Sequence, residues 1–307
     1  MTVEKYHSNG KLLLTGEYFI MNGALSLALP LRMGQTMKVR YLNDNLGILY
    51  WNTYVQDELW FQAAFKVGGF ELINTTDEFK GSYIRNILAN AAKFNAALLC
   101  GSQSKIIETY LDFLPEWGFG SSSSLISNLA YWLKADPFDL FWSIFEGSGY
   151  DIACARANGP ILYQLDDGKP VETPIVYLPP FYESLHFVYL GEKANSSESI
   201  KQNKETIELH RITSSEISVI TQNILNAASL EDFEALITQH EEIVSRMLHQ
   251  PTIKSHLFSN FPGAIKSLGA WGGDFILVAS KEKDVWVKQY FSAKGLKQIF
   301  DYKEIIL

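Results

Sequence analysis

Hydrophobic and polar positions along the chain alternate between two periods. Tyr6 to Leu14 closes in an apolar run and reads as a strand, followed by the turn-like Gly16. Thr36 to Phe65 is rich in β-branched and aromatic residues and is broken at Asn43-Asp44-Asn45 and Gly47, the mark of antiparallel strands. From Ser82 to Phe94 the spacing becomes helical, with Ile84, Ile87, Leu88 and Ala91 on one face. Ile106 to Leu111 returns to a strand, which runs through Pro115 and a glycine–serine stretch into a helix over Leu125 to Leu133. A short aromatic helix over Pro137 to Glu146 stops at Gly147, and Ile161 to Leu165 is a further strand. Asp166 to Pro180, polar and proline-bearing, is the expected boundary between domains at 1–170 and 171–307. Beyond it the pattern predicts a strand at Leu185 to Leu190 and a helix lined by Ile217, Ile220, Ile224 and Ala228. A second helix, capped at Ser229, is lined by Phe233, Leu236, Ile237, Ile243, Val244 and Met247, and Phe275 to Val278 is a buried strand. Strands mixed with helices in both halves indicate two α+β domains rather than a doubly wound parallel sheet.

Composition narrows the function classes. The 307 residues carry a formal net charge of -8, and no Lys/Arg run supplies the basic surface that a nucleic acid requires. A local basic pocket for a phosphorylated metabolite is compatible with that charge. The longest apolar runs, such as Ala24 to Leu31, are too short to span a bilayer. The first ten residues lack the basic-then-apolar profile of a secretory leader. Two cysteines, Cys100 and Cys154, form neither a metal spacing nor a disulfide framework, and the six histidines form no ligand-spaced set. The expectation is a cytoplasmic protein with a small-molecule substrate and neither nucleic-acid nor membrane partners.

Four stretches carry candidate chemistry. The strongest is Pro115-Glu-Trp-Gly118-Phe-Gly120-Ser121-Ser122-Ser123-Ser124, set between a strand and a helix. Glycines admit close approach to an anion, a helix start presents unpaired N–H groups, and serine hydroxyls add hydrogen bonds or a ligand to Mg²⁺. The competing reading is a Gly/Ser connector, which would need neither the strand before it nor the apolar helix after it. No Gly-Lys-Ser/Thr ending or Gly-x-Ser-x-Gly elbow occurs. Lys266-Ser-Leu-Gly269-Ala270-Trp271-Gly272-Gly273-Asp274, taken alone, is equally a tight turn before a strand. In Ser8-Asn9-Gly10-Lys11 through Gly16-Glu17-Tyr18, a lysine heading a strand is ordinarily solvated. In Gly147-Ser148-Gly149-Tyr150-Asp151 an aspartate among glycines is ordinarily a turn residue.

In identity and order these four stretches resemble the GHMP kinase superfamily (galactokinase, homoserine kinase, mevalonate kinase, phosphomevalonate kinase), over nearly the whole chain from Ser8 to Val278. The resemblance implies a two-domain α+β fold. Its N-terminal domain contains a left-handed β-α-β crossover, its C-terminal domain is ferredoxin-like, and ATP and acceptor lie in the cleft. It implies ATP and Mg²⁺ as cofactors. Gly118, Gly120, Ser121, Ser122 and Ser123 would surround the nucleotide phosphates together with Gly269, Gly272 and Gly273, and Ser122 would contact Mg²⁺. Asp151 would be the catalytic base or the orienter of the acceptor. Lys11 would neutralise charge beside it, and Glu17 and Ser197 would lie on the substrate side. Gly16-Glu17-Tyr18 and Gly147-Ser148-Gly149-Tyr150-Asp151 look more like phosphomevalonate kinases than mevalonate kinases.

Three departures from the family pattern stand out. Asn9 replaces a proline, Trp271 replaces a glycine, and Trp142 stands where mevalonate kinases carry a metal-binding glutamate, with Glu146 about one turn later. Within the superfamily a diphosphomevalonate decarboxylase is the alternative, although its first motif lacks this Gly-Lys…Gly-Glu arrangement. From another class the alternative is a catalytically silent nucleotide- or metabolite-binding protein on the same fold.

Overall fold

The computed structural model describes residues 3–191, 211–269, 271 and 274–307. In chain order the first elements are β1 (Val3–Leu13), β2 (Ser26–Tyr41), β3 (Ile48–Val55), β4 (Glu58–Lys66), β5 (Glu71–Thr75), α1 (Glu78–Ala91), α2 (Ala96–Cys100), β6 (Lys105–Leu111), α3 (Ser121–Leu133), α4 (Pro137–Trp142) and α5 (Tyr150–Arg156). There follow β7 (Ile161–Asp166), β8 (Lys169–Pro174), β9 (Leu185–Tyr189), α6 (Arg211–Leu225), α7 (Leu230–Leu248), α8 (Ile253–Leu257), β10 (Ala264–Leu268), β11 (Phe275–Ala279), α9 (Asp284–Ala293), β12 (Ile299–Asp301) and α10 (Tyr302–Ile305). Two compact units result. One comprises Met1–Gly10, Met33–Pro115 and Phe119–Arg156, and the other Lys11–Arg32, Glu116–Gly118 and Ala157–Leu307. Two short segments that precede position 170, including the entry to the glycine–serine loop, thus pack with the C-terminal part of the chain.

In the first unit the strand order is β5-β4-β3-β6, continued by the Gln35–Tyr41 portion of β2. All pairings are antiparallel except β3 with β6. The β3–β4 hairpin turns at Gln56 and Asp57, both at positive φ (50° and 67°), the handedness that a two-residue hairpin favours. The predicted face of α1 is the buried one: Ile84, Ile87, Leu88 and Ala91 join Trp51, Phe61, Phe65, Leu129 and Trp132 in one core. Asp77 caps this helix by accepting from Lys80 N at 3.0 Å. Helix α3 is fixed by a buried polar network. Ser8 Oγ donates to Ser127 Oγ (2.8 Å) or Asn128 Oδ1 (2.9 Å), and Asn128 Nδ2 donates to Gln35 O at 2.9 Å.

In the second unit the Ser26–Ala28 end of β2 pairs with β7, and β7 pairs with β8. The stretch expected to be a linker is therefore partly a hairpin: Asp166 pairs with Lys169 across Asp167-Gly168, both at positive φ (46° and 76°). A separate antiparallel sheet has the order β10-β11-β9-β12. Taken with the intervening helices, the succession β9, α6–α8, β10, β11, α9, β12 is a ferredoxin-like β-α-β-β-α-β arrangement. Its core joins Val188, Ile265, Ile276, Val278, Val287 and Phe291. Ser229 caps α7 as expected, accepting from Asp232 N at 3.1 Å. Both cysteines are free, and no helix among the described residues is long and apolar enough to cross a membrane.

Candidate functional site

Two groups of predicted residues can be built, one in each unit. In the first unit Gly120 takes φ 89° as the N-cap of α3, a left-handed position that glycine adopts without strain. The first bond into the helix is Ser124 N to Gly120 O (3.0 Å), so the N–H groups of Ser121, Ser122 and Ser123 precede the ladder at its positive end. The serines divide by direction. Ser123 and Ser124 are buried, and their hydroxyls donate back to Gly120 O at 3.0 and 2.9 Å. Ser121 and Ser122 are half-buried, and Ser122 Oγ shares a 2.7 Å hydrogen bond with Tyr83 Oη from α1. The start of α3 thus sets N–H groups outside the helix ladder beside serine hydroxyls, donor types that phosphate and Mg²⁺ accept. Asp151 lies half-buried in the first turn of α5, a helix that packs on α3. Trp142 Nε1 donates to Gly147 O (3.0 Å), so α4 offers the metal no carboxylate at that position, and Glu146 is exposed.

In the second unit the C-terminal glycine stretch is the β10–β11 hairpin loop, closed by the pairing of Leu268 with Phe275. Asp274, buried and at φ 53°, directs its carboxylate onto Gly118. A Cβ at Gly118 (φ 67°) would lie 2.3 Å from Asp274 Oδ2, and one at Gly269 would lie 3.3 Å from the same oxygen. The loop entry is anchored by Trp117, whose ring sits edge-on to Phe300 at 5.3 Å and to Phe275 at 6.4 Å, and by Tyr189 Oη donating to Glu116 O at 3.3 Å. Trp271 N donates to Tyr18 Oη at 2.9 Å, which ties the first and last motifs together.

The same unit encloses a charged cluster. Glu17, 5% exposed, pairs with Lys266 Nζ, and its Oε2 lies 3.3 Å from His240 Nε2. His240 Nε2 accepts from Gly16 N at 3.0 Å, and Glu241 accepts from Ser267 N (3.1 Å) and Oγ (3.0 Å). Burial outweighs the attraction of Lys266 and pushes the Glu17 carboxyl up to about 7. Burial, reinforced by Lys266, holds the His240 imidazole well below its ordinary range, so it stays neutral with its proton on Nδ1. Neither Glu17 Oε2 nor His240 Nδ1 has a hydrogen-bond partner among the described residues. A second cluster sets His186 Nε2 3.0 Å from Asp284 and 3.7 Å from Asp301, but Lys288 Nζ already bridges both carboxylates at 2.9 and 3.0 Å.

The structure therefore brings Ser121, Ser122, Ser123 and Asp151 into one unit, and Gly118, Gly269 and Glu17 into the other, where Lys11 lies half-buried in β1. Glu17 is turned inward onto Lys266. Ser197, Gly272 and Gly273 lie outside the described residues. Sequence reasoning passed over Tyr83 and gave no role to Trp117, His240, Lys266 or Asp274. The one available signal was a lysine set between Ile265 and Ser267 in a five-residue strand.

Similarity of structure bears on the fold. No protein-family model and no curated protein matches the sequence. The fold, however, is that of the GHMP kinases. It is similar over 98% of both chains to Methanococcus jannaschii mevalonate kinase (TM-score 0.70, 15% identity). It is similar over 98% of this chain and 100% of the other to Streptococcus pneumoniae phosphomevalonate kinase, solved in complex with phosphomevalonate and AMPPNP (TM-score 0.68, 18% identity). A D-glycero-D-manno-heptose 1-phosphate kinase from Bacteroides thetaiotaomicron is similar over 99% of this chain and 96% of that one (TM-score 0.65, 13% identity).

Proposed function

We propose that this protein is an ATP-dependent small-molecule kinase that transfers the γ-phosphate to an acceptor of the phosphomevalonate or mevalonate type. The observation that carries this reading is the start of α3, where positive-φ Gly120 and three unladdered N–H groups stand beside half-buried Ser121 and Ser122. The N–H groups and helix dipole hold the phosphates, and Ser122 is the residue to hold Mg²⁺, which when bound screens charge between them. Asp151 accepts or orients the acceptor proton, and Lys11 screens the charge that develops there. Glu17 acts at one remove, by fixing Lys266 at the base of the glycine hairpin. Phosphomevalonate leads mevalonate on the likeness of Gly16-Glu17-Tyr18 and Gly147-Ser148-Gly149-Tyr150-Asp151.

A second reading, a nucleotide- or metabolite-binding protein without turnover, draws support from Trp142, whose indole is committed to Gly147 O where a metal-binding carboxylate would serve transfer. ADP release measured across a panel of small alcohols and phosphate monoesters, with mevalonate and phosphomevalonate included, decides between the two. Acceptor-dependent ADP release supports the kinase. Mg·ATP binding without release on any acceptor supports the silent fold.

A further inference from the structure

We propose that Tyr83 is a positioning residue that sets the Ser122 hydroxyl for the phosphate-side Mg²⁺, an inference that rests on the nucleotide site proposed at α3. A serine in the first turn of a helix has three staggered rotamers, and its hydroxyl readily turns back onto a backbone carbonyl. Ser123 and Ser124 do so here. Ser122 does not. Its Oγ lies 2.7 Å from Tyr83 Oη, a contact reaching across 39 residues, at the usual length of an O–H···O bond.

The direction of that bond matters. A hydroxyl offers one proton and two lone pairs. When Ser122 donates to Tyr83, both of its lone pairs are left for a hard cation. When it donates to a carbonyl of its own helix, the rotamer points the oxygen inward. Tyr83 can serve as the fixed acceptor because it is itself held: α1 seats its neighbours Ile84 and Ile87 in the core, and its ring packs against Phe145 with centroids 6.2 Å apart. The site at α3 thus has its metal-side oxygen oriented before any ligand arrives, which lowers the cost of binding.

The test uses Tyr83→Phe, which keeps the ring and removes only Oη, together with Ser122→Ala and the double variant. Calorimetric titration of Mg·ATP into the full-length proteins, and of Mn²⁺ in the presence of ATP, provides readouts independent of turnover. Tyr83→Phe is expected to weaken Mg·ATP about three- to tenfold, the worth of one hydrogen bond. In the Ser122→Ala background the same change should have no further effect. Unaltered affinity in Tyr83→Phe, with Ser122→Ala clearly weakened, overturns the positioning role and leaves the nucleotide site standing. Equal losses from Tyr83→Phe in both backgrounds overturn it as well, because the tyrosine then acts without the serine. Wild-type protein that binds no Mg·ATP overturns the nucleotide reading and this inference with it.

Discussion

Replacing Gly118 with alanine tests what the glycine is for. At φ 67° an alanine adopts a left-handed conformation at a cost of about 1–2 kcal/mol. Its Cβ would also sit 2.3 Å from Oδ2 and 2.5 Å from Cγ of Asp274, which is 6% exposed and has little room to withdraw. Overpacking of that kind costs about 1–3 kcal/mol, for a total of about 2–5 kcal/mol. Truncating Asp274 to alanine removes the second contribution and leaves the first. Urea denaturation of the four proteins in the cycle should therefore give a coupling of about 1–3 kcal/mol between the two positions. If Gly118→Ala is equally destabilising with and without the Asp274 carboxylate, the contact is not the reason for the glycine. If the variant stays within about 2 kcal/mol of wild type yet loses Mg·ATP binding, Gly118 is a glycine for the sake of the phosphate instead.

Asp151→Asn should lower kcat by about 10²–10⁴-fold while calorimetry shows Mg·ATP binding intact, and a near-normal kcat at saturating acceptor would remove Asp151 from the catalytic role. Lys11→Met keeps the aliphatic stem and should lower kcat/KM in a protein that melts like wild type; unchanged kcat/KM would make the lysine merely solvated. Glu17 gives a pH dependence. Between its ordinary value of 4.5 and about 7 the folded protein holds a proton that the unfolded chain has lost, so stability falls as pH rises through that window and is level above it. The contribution is at most about 3 kcal/mol, and a Glu17→Gln protein whose denaturation midpoint follows the same pH slope as wild type would show that another group is responsible.

What could be read in the chain follows from what is local. The face of α1, the cap at Ser229 and the strand–glycine–serine–helix succession at 106–133 are each written within a few turns of sequence, and each stands in the structure. Asp167-Gly168 was equally local, a two-residue hairpin signal, and was hidden only because the surrounding prolines and polar residues look like a linker. β8 is an exposed edge strand, so it shows no apolar alternation to reveal it. Taken alone, Asp151 read as a turn residue because the glycines before it bend the chain, yet Gly149 O receives the first hydrogen bond of α5, and the turn is a helix start.

The partners of the charged residues were illegible for a different reason. Glu17 looked like a group aimed at a ligand and Lys266 like the flank of a turn, because a sequence displays charge without its partner. Their pairing spans 249 positions and is fixed only when β1 leads into Gly16 within the unit that also holds β10. The neighbour of Gly118 was illegible for the same reason. A glycine in a phosphate-type loop implies a close approach, and the sequence cannot state what approaches; the structure shows that one such neighbour is the protein's own Asp274 carboxylate. That carboxylate lies against both Gly118 and Gly269, two of the glycines expected around the nucleotide. An anion brought against these two glycines would meet a carboxylate, so a phosphate group there would need compensating positive charge.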